Sequence, residues 1–159
     1  MRRNARKNYR ASLRCGIEVE VLDRVSHGDV ARVYGVVRAN REWHGYPLRM
    51  TLDDVARTAP VADAELLVMT CGGVDVAAAL VHRVTPFVGQ VVYWGDVPGY
   101  GGLRPMNFFA LEVMRHCRGL GMEVLDIGPS SEAGVPSFGL CDFKESIGCV
   151  ASPKFRFRL

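Results

Sequence analysis

A chain of 159 residues that is 48% apolar and 23% charged has ordinary globular composition and the length to bury one core, which excludes disorder and a disulfide-stapled miniprotein. The formal charge of +3 is uneven, because Arg2, Arg3, Arg6, Lys7, Arg10 and Arg14 all precede the first acid, Glu18, and without those six the basic residues fall to 14 against 17 acidic ones. No stretch is long and apolar enough to cross a bilayer and the start lacks an apolar signal core, so the expectation is a cytoplasmic chain without membrane insertion.

The five cysteines, Cys15, Cys71, Cys117, Cys141 and Cys149, are odd in number and none has metal-clip spacing. Reduced, mostly buried thiols and no metal site are expected. The basic N-terminus offers two readings, a solvated helix face or a contact for a polyanion such as RNA.

Residues 1–15 read as a helix, with Ala5, Tyr9 and Leu13 on one face and Arg2, Arg6, Arg10 and Arg14 on another. Gly16 suits its end. Ile17-Glu-Val-Glu-Val-Leu22 alternates as a half-buried strand does. Ser26 can cap a helix to about His44, with Val30, Val33, Tyr34 and Val37 as its buried stripe, before Pro47 ends the stretch. Thr51-Leu-Asp-Asp54 can cap a shorter helix through about Thr58.

A meander follows. Glu65 to Cys71 is a strand, Gly72-Gly73 a hairpin turn, and Val74 to Val84 the returning strand. Its apolar run from Val76 to Val81 suggests cover on both faces. After a turn over Pro86 to Gly89, Gln90 to Trp94 forms a third strand. Beyond the loop Pro98-Gly-Tyr-Gly-Gly-Leu-Arg104, Pro105 opens a helix whose buried seam is Phe109, Val113, Cys117 and Leu120. Met122 to Ile127 then reads as a strand with Met122, Val124 and Asp126 on the core side. A short helix over Leu140 to Ser146 and an alternating edge strand, Lys154 to Leu159, complete the chain. One α/β domain spans residues 1–159 on this reading, with residues 1–15 as a basic helix and 17–159 as the body, its helices packed on a mostly antiparallel mixed sheet.

That order resembles the GNAT acyl-CoA N-acyltransferase fold, and three motifs narrow it. Arg2-Arg-Asn-Ala-Arg-Lys7 resembles the Arg-x-Asn-x-x-Lys helix that opens the C-terminal half of FemAB-like transferases. Gly121-Met-Glu-Val-Leu-Asp126-Ile-Gly128 resembles their strand ending in aspartate and glycine. Gly139-Leu-Cys-Asp-Phe-Lys144-Glu-Ser-Ile-Gly148 resembles their Gly-Leu-x-x-Phe-Lys-x-x-x-Gly signature. The resemblance implies transfer of an acyl or aminoacyl group from a thioester or ester donor to an amine, with acyl-CoA (acetyl-CoA) as co-substrate and no metal. Two departures stand beside it. The family usually carries two such domains where this chain offers one, and the coiled-coil arm of members using aminoacyl-tRNA has no counterpart here.

The resemblance makes Lys144 the first catalytic candidate, near the start of its short helix, to neutralise developing charge or hold a donor phosphate; a solvated Lys144–Glu145 pair is the other reading. Asp126, partly desolvated, is expected to have a raised pKa and to accept the amine's proton, or else to bond backbone groups at the strand end. Tyr93 can protonate the leaving group or serve the core. Cofactor contact falls to Trp94, Gly95 and the loop residues Gly99, Tyr100, Gly101, Gly102, Arg104 and Asn107, where a GNAT pyrophosphate loop belongs and where backbone N–H groups at a helix start can cradle phosphate. Asp96, the alternative carboxylate, and Ser130 and Ser131 are the substrate-binding candidates. His27, His44, His82 and His116 have no triad or metal spacing and read as structural.

The sequence thus supports an N-acyltransferase for a small-molecule amine or peptide. The competing reading is a non-catalytic GNAT-like module that binds a partner domain or RNA. A third is a homodimer that recreates a two-domain cleft.

Overall fold

A computed structural model describes residues 3–12, 16–22, 25–132 and 134–155. Its elements in chain order are α1 (Arg3–Ser12), β1 (Ile17–Leu22), α2 (His27–His44), α3 (Leu52–Val61), β2 (Glu65–Cys71), β3 (Val74–Thr85), β4 (Val88–Asp96), α4 (Pro105–Gly119), β5 (Val124–Asp126), β6 (Ser131–Glu132), β7 (Val135–Pro136) and α5 (Phe138–Ile147). Both helix starts read from the sequence are capping boxes. Ser26 Oγ accepts from the Asp29 N–H at 3.1 Å and Thr51 Oγ1 from the Asp54 N–H at 3.2 Å, while each aspartate accepts from its cap's backbone in return. Gly45, at φ +69°, closes α2 in the left-handed conformation.

Five strands form one sheet in the order β1-β2-β3-β4-β5. The first four are antiparallel neighbours, and β5 alone runs parallel to β4. Strands β6 and β7 make a separate small hairpin between β5 and α5. The apolar run in β3 is explained by cover on both sides. Val76, Ala77, Ala79 and Val81 pack with Phe108, Phe109 and Val113 of α4, whereas Ala78 and Leu80 pack with Val30, Val33 and Val37 of α2 and Val55 of α3. Arg32 pins α2 to the sheet edge, with two bonds to Asp75 (2.9 and 2.8 Å) and one to Glu20 (2.6 Å).

Helix α1 is seated on α4. Ala5 is buried, the Tyr9 ring stacks on Phe108 at 5.1 Å, and Asn8 Nδ2 donates to Asn107 Oδ1 at 3.1 Å. The basic N-terminal segment is thus a packed helix rather than a free arm, with Arg3 and Lys7 exposed; Leu13 and Arg14 lie outside the described residues.

Several expectations need correction. Leu120 is 38% exposed because α4 ends at Gly119 and the chain turns off its buried face. Strand β5 has three residues, not six; Met122 is in the core as expected, but Val124 is exposed and the strand's own core contacts come from Leu125 and Ile127, so Asp126 lies on the opposite side from them. Among the described cysteines only Cys117 is buried. His116, read as structural, has its Nε2 2.8 Å from Glu65 Oε2. Lys154 and Phe155 form no strand, and residues 156–159 of the expected edge strand lie outside the described residues. Among the described residues no helix is long and apolar enough to cross a membrane, and no group of three or more His, Cys, Asp or Glu converges.

Candidate active site

Strands β4 and β5 share register for three pairs, Val88–Val124, Gly89–Leu125 and Gln90–Asp126, and then part. Their close start depends on Gly89, where a Cβ would come within 2.6 Å of Met122 Sδ and 3.0 Å of Leu125 Cδ1. Their divergence has a cause on each side. In β4 the pairing with β3 steps from Val81–Val91 to Leu80–Tyr93, leaving Val92 as a bulge just past Gln90; a bulge bends its strand and increases the twist. In β5, Asp126 Oδ1 accepts from the Gly128 N–H at 2.9 Å, and Gly128 at φ +79° turns the chain away. The carboxyl half of β4, from Val91 to Asp96, is left without β5 beside it. A wedge opens there.

The side chains around the wedge divide sharply. On β4, Tyr93 packs toward α2 and α3, while Trp94 packs toward α4 and meets the Phe143 ring of α5 edge-on at 6.4 Å. Gly95 is covered on its α2 side. Asn40 of α2 lies on it, and a Cβ would sit 2.5 Å from Asn40 Cγ. The buried Asn40 amide donates to the Asp96 carbonyl at 2.7 Å and reaches toward its carboxylate Oδ1 at 3.5 Å. Burial pushes the Asp96 carboxyl above the ordinary aspartate value, against the opposing effects of its backbone hydrogen bond and of His44.

Lys144 and Asp126 differ from expectation. Lys144 stands in the last turn of α5, not at its start, and is buried at 7% exposure, not paired with Glu145 in solvent. Its Nζ donates to the carbonyls of Gly128 (2.8 Å) and Pro129 (2.9 Å), and burial lowers its pKa. Burial also acts on Asp126, pushing its carboxyl up, but bonds from Lys154 (2.5 Å) and the Gly128 N–H and the charges of Lys154 and Lys144 outweigh that and hold it below the ordinary value. The expected raised pKa therefore belongs to Asp96, not Asp126. Ser130 and Ser131 sit where β5 gives way to the small hairpin, the Ser130 carbonyl accepting from the Ser137 N–H at 2.8 Å.

The loop after β4 passes Gly99 at φ +95°, makes a 3-10 turn over Gly101–Leu103, and enters α4 through Arg104, itself left-handed at φ +51°. Pro105 fills the first helical position, and no side chain caps the helix start. Nothing lies within 4 Å of where a Cβ would stand on Gly99, Gly101 or Gly102, so the space above them is open. Tyr100 packs against the α4-side core, Arg104 is exposed, and the Asn107 amide oxygen is already engaged by Asn8. Away from the wedge, at the amino end of β5, a 560 Å³ groove is lined by Met114, Cys117, Met122 and Leu125 together with Arg118 and Glu123.

A strand pair that splays beside a glycine-rich turn and an uncapped helix start has a counterpart among known families. The family model of the acetyltransferase (GNAT) domain matches residues 1–145. The chain belongs to that family. No curated protein matches this chain at the sequence level. Among solved structures, FemX is similar with a TM-score of 0.76 at 13% identity over 92% of this chain, which spans 54% of FemX, about half its length. An acetyltransferase from Trypanosoma brucei gives 0.60 at 19% identity, covering 90% of this chain and 99% of that one. A GNAT family acetyltransferase from Elizabethkingia anophelis with acetyl-CoA bound gives 0.60 at 8% identity, covering 84% and 75%. The FemAB-like resemblance and the GNAT fold read from the sequence both stand.

Sequence reasoning ranked Asp96 below Asp126 and missed Asn40 altogether. A signal for Asn40 existed: a lone amide in the buried stripe of α2, at the spacing of Val33, Val36 and Val37.

Proposed function

We propose that this GNAT domain is an N-acyltransferase that moves an acyl group from a CoA thioester to a primary amine. The observation that carries the reading is the wedge, which opens past Gln90 and Asp126 onto the glycine turn and the uncapped start of α4. The open space over Gly99, Gly101 and Gly102 suits a pyrophosphate, with backbone N–H groups and the positive end of the helix dipole facing it. Exposed Arg104 is the side chain best placed to add charge-assisted bonds. Backbone groups of β4 released at the Val92 bulge can orient the thioester carbonyl and receive the charge that develops on its oxygen.

Asp96 is the general base of this scheme. A carboxyl whose pKa is raised by burial matches proton transfer from an amine better than one held low by ion pairs. The amine nitrogen, giving its proton to Asp96, forms a bond to the carbonyl carbon; the carbon–sulfur bond breaks, the thiolate takes up a proton, and an amide and free thiol result. Tyr93, on the neighbouring stretch of β4, is the donor to the departing sulfur, and Trp94 with Phe143 walls the wedge against water. Lys144 and Asp126 shape the loop that ends β5 rather than touch the reacting atoms. Ser130 and Ser131 border the same loop.

Titration with acetyl-CoA during thermal unfolding tests the donor. At about 100 times the dissociation constant, binding adds about 2.7 kcal/mol, a midpoint rise of roughly 5–10 °C for a chain of this size. No rise with acetyl-CoA, a longer acyl-CoA or CoA itself overturns the thioester reading and leaves an ester donor or a binding module.

A further inference from the structure

The end of the sheet away from the wedge carries a groove that the candidate site does not use. Helix α4 stops at Gly119, Gly121 at φ +85° reverses the chain, and the Met122 N–H bonds back to the Cys117 carbonyl at 3.1 Å. The last turns of α4 and the start of β5 thereby supply the walls of the 560 Å³ groove, with Met114, Met122 and Leu125 as apolar lining and Arg118 and Glu123 as its charges. Two methionines make that lining adaptable. An unbranched thioether follows the outline of a ring, and its sulfur makes favourable contacts with one.

The same end presents a projection. The turn between β3 and β4 carries Val84 and Phe87, 56% and 59% exposed. Backbone bonds hold Phe87 beside the groove, because its carbonyl accepts from the N–H groups of Glu123 and Val124 at 2.9 and 3.1 Å. Its ring is not one of the groove's walls, and the neighbouring Val124 is exposed as well. Apolar side chains gathered around a groove mark a contact surface. We propose that this end is a self-association surface whose occupant is a second copy of the chain, each Phe87 ring entering the other copy's groove. Shape and charge favour a copy over an unrelated partner. Ring and groove lie side by side, so a two-fold axis between them satisfies both at once. The groove also carries one base and one acid, both exposed, and in the two-fold pair Arg118 of one copy meets Glu123 of the other, twice over. The surface lies at the amino ends of β4 and β5 and the wedge at the carboxyl end of β4, so pairing leaves both wedges open. The inference is independent of the acyl-transfer reading.

Sedimentation of the chain over a range of concentrations tests the pairing. The native chain should form a species of twice the mass of one copy. Phe87→Ser should raise the dissociation constant about 30-fold or more, the scale of an aromatic anchor lost from its pocket. Arg118→Glu and Glu123→Arg should each raise it about tenfold or more, since either reversal opposes like charges at two contacts. Mixed in equal amounts, the two reversed chains should pair with one another nearly as tightly as native copies do. Only the mixed pair brings opposite charges together at both contacts.

A monomer at every concentration up to about 100 μM overturns the inference and leaves the groove to a different occupant. A dimer indifferent to Phe87→Ser has its contact elsewhere and overturns it too. So do reversed chains that pair no better mixed than apart. The two reversals fall on exposed side chains, so the mixing result decides the matter even if Phe87→Ser fails to fold.

Discussion

The carboxyl ends of β4 and β5 start from a shared register and finish with opposite electrostatics. At the end of β5 Asp126, Lys144 and Lys154 are all committed. Asp126 accepts from Lys154 and from the Gly128 backbone, and Lys144 donates to two carbonyls. At the end of β4 the anchoring is neutral, an asparagine amide lying on a glycine, and the one carboxylate is partly buried with its charge unpaired by any ion bridge among the described residues. A charge bound by good partners is stabilised and chemically quiet; a charge kept partly desolvated, with no ion bridge and only the weaker pull of His44, stays ready to exchange a proton. Reactivity in this fold should therefore reside at β4 and rigidity at β5.

The largest effect that tests this contrast is kinetic. Asp96→Asn should lower kcat/KM for an amine acceptor by about 10²- to 10⁴-fold, the range of a positioned general base, while the melting temperature at pH 7 stays the same or rises. The stability sign follows from the raised pKa. The folded protein favours protonated Asp96, so the corresponding stabilisation is fully present below the unfolded value of 3.8 and is lost as pH rises through the folded one. The amide has no such loss. Native activity should climb with pH along an acid limb above that of an ordinary aspartate, and the variant should lack the limb. A variant that keeps both limb and rate would transfer the base role away from β4.

At β5 the expected effect is on stability. Lys144→Met keeps the side chain's length but leaves the Gly128 and Pro129 carbonyls without their donor. Losing these charge-assisted bonds in a buried setting should cost about 3 kcal/mol, roughly 6–12 °C in midpoint. Thermal unfolding of the variant beside its kcat separates the roles. A preserved midpoint with abolished turnover would make Lys144 a catalytic residue and erase the difference between the two strand ends.

The same contrast explains what could be read from the sequence. Caps, turns and strands were legible because each depends on neighbours in the chain: Ser26 with Asp29, Thr51 with Asp54, Gly72 with Gly73, Pro105 at the start of α4. The family motifs were legible too, and each falls on a packed contact of the fold. Asp126 and Gly128 make the turn, Lys144 binds across it, Phe143 meets Trp94, and Gly148 at φ +107° closes α5. The same motifs name Lys144 and Asp126 as candidates for the chemistry. Asp96 has its raised pKa from burial where β4 ends against α2, its carbonyl meeting Asn40 from 56 residues away in the chain, and no local pattern encodes that meeting. The length of β5 was overread for a similar reason, because its end is set by where β4 bends away rather than by its own apolar content.

The smallest predicted effect bears on whether the quiet end is quiet because of its ion pair. Lys154 is 47% exposed and Asp126 32%, so their bond is screened and worth at most about 1 kcal/mol. Lys154→Ala should lower the midpoint by no more than roughly 2–4 °C at pH 7, less in high salt. The sign with pH is opposite to that of Asp96. A carboxyl held below its ordinary value contributes stability that is present above the unfolded value of 3.8 and is lost as pH falls through the folded one. Native and variant midpoints should thus differ at pH 7 and converge in acid, once Asp126 is protonated in both. A gap that survived full protonation would mean that Lys154 acts through its aliphatic packing. A gap that closed on schedule, without change in the kinetic acid limb, would show that Asp126 titrates for stability while another carboxylate titrates for the reaction.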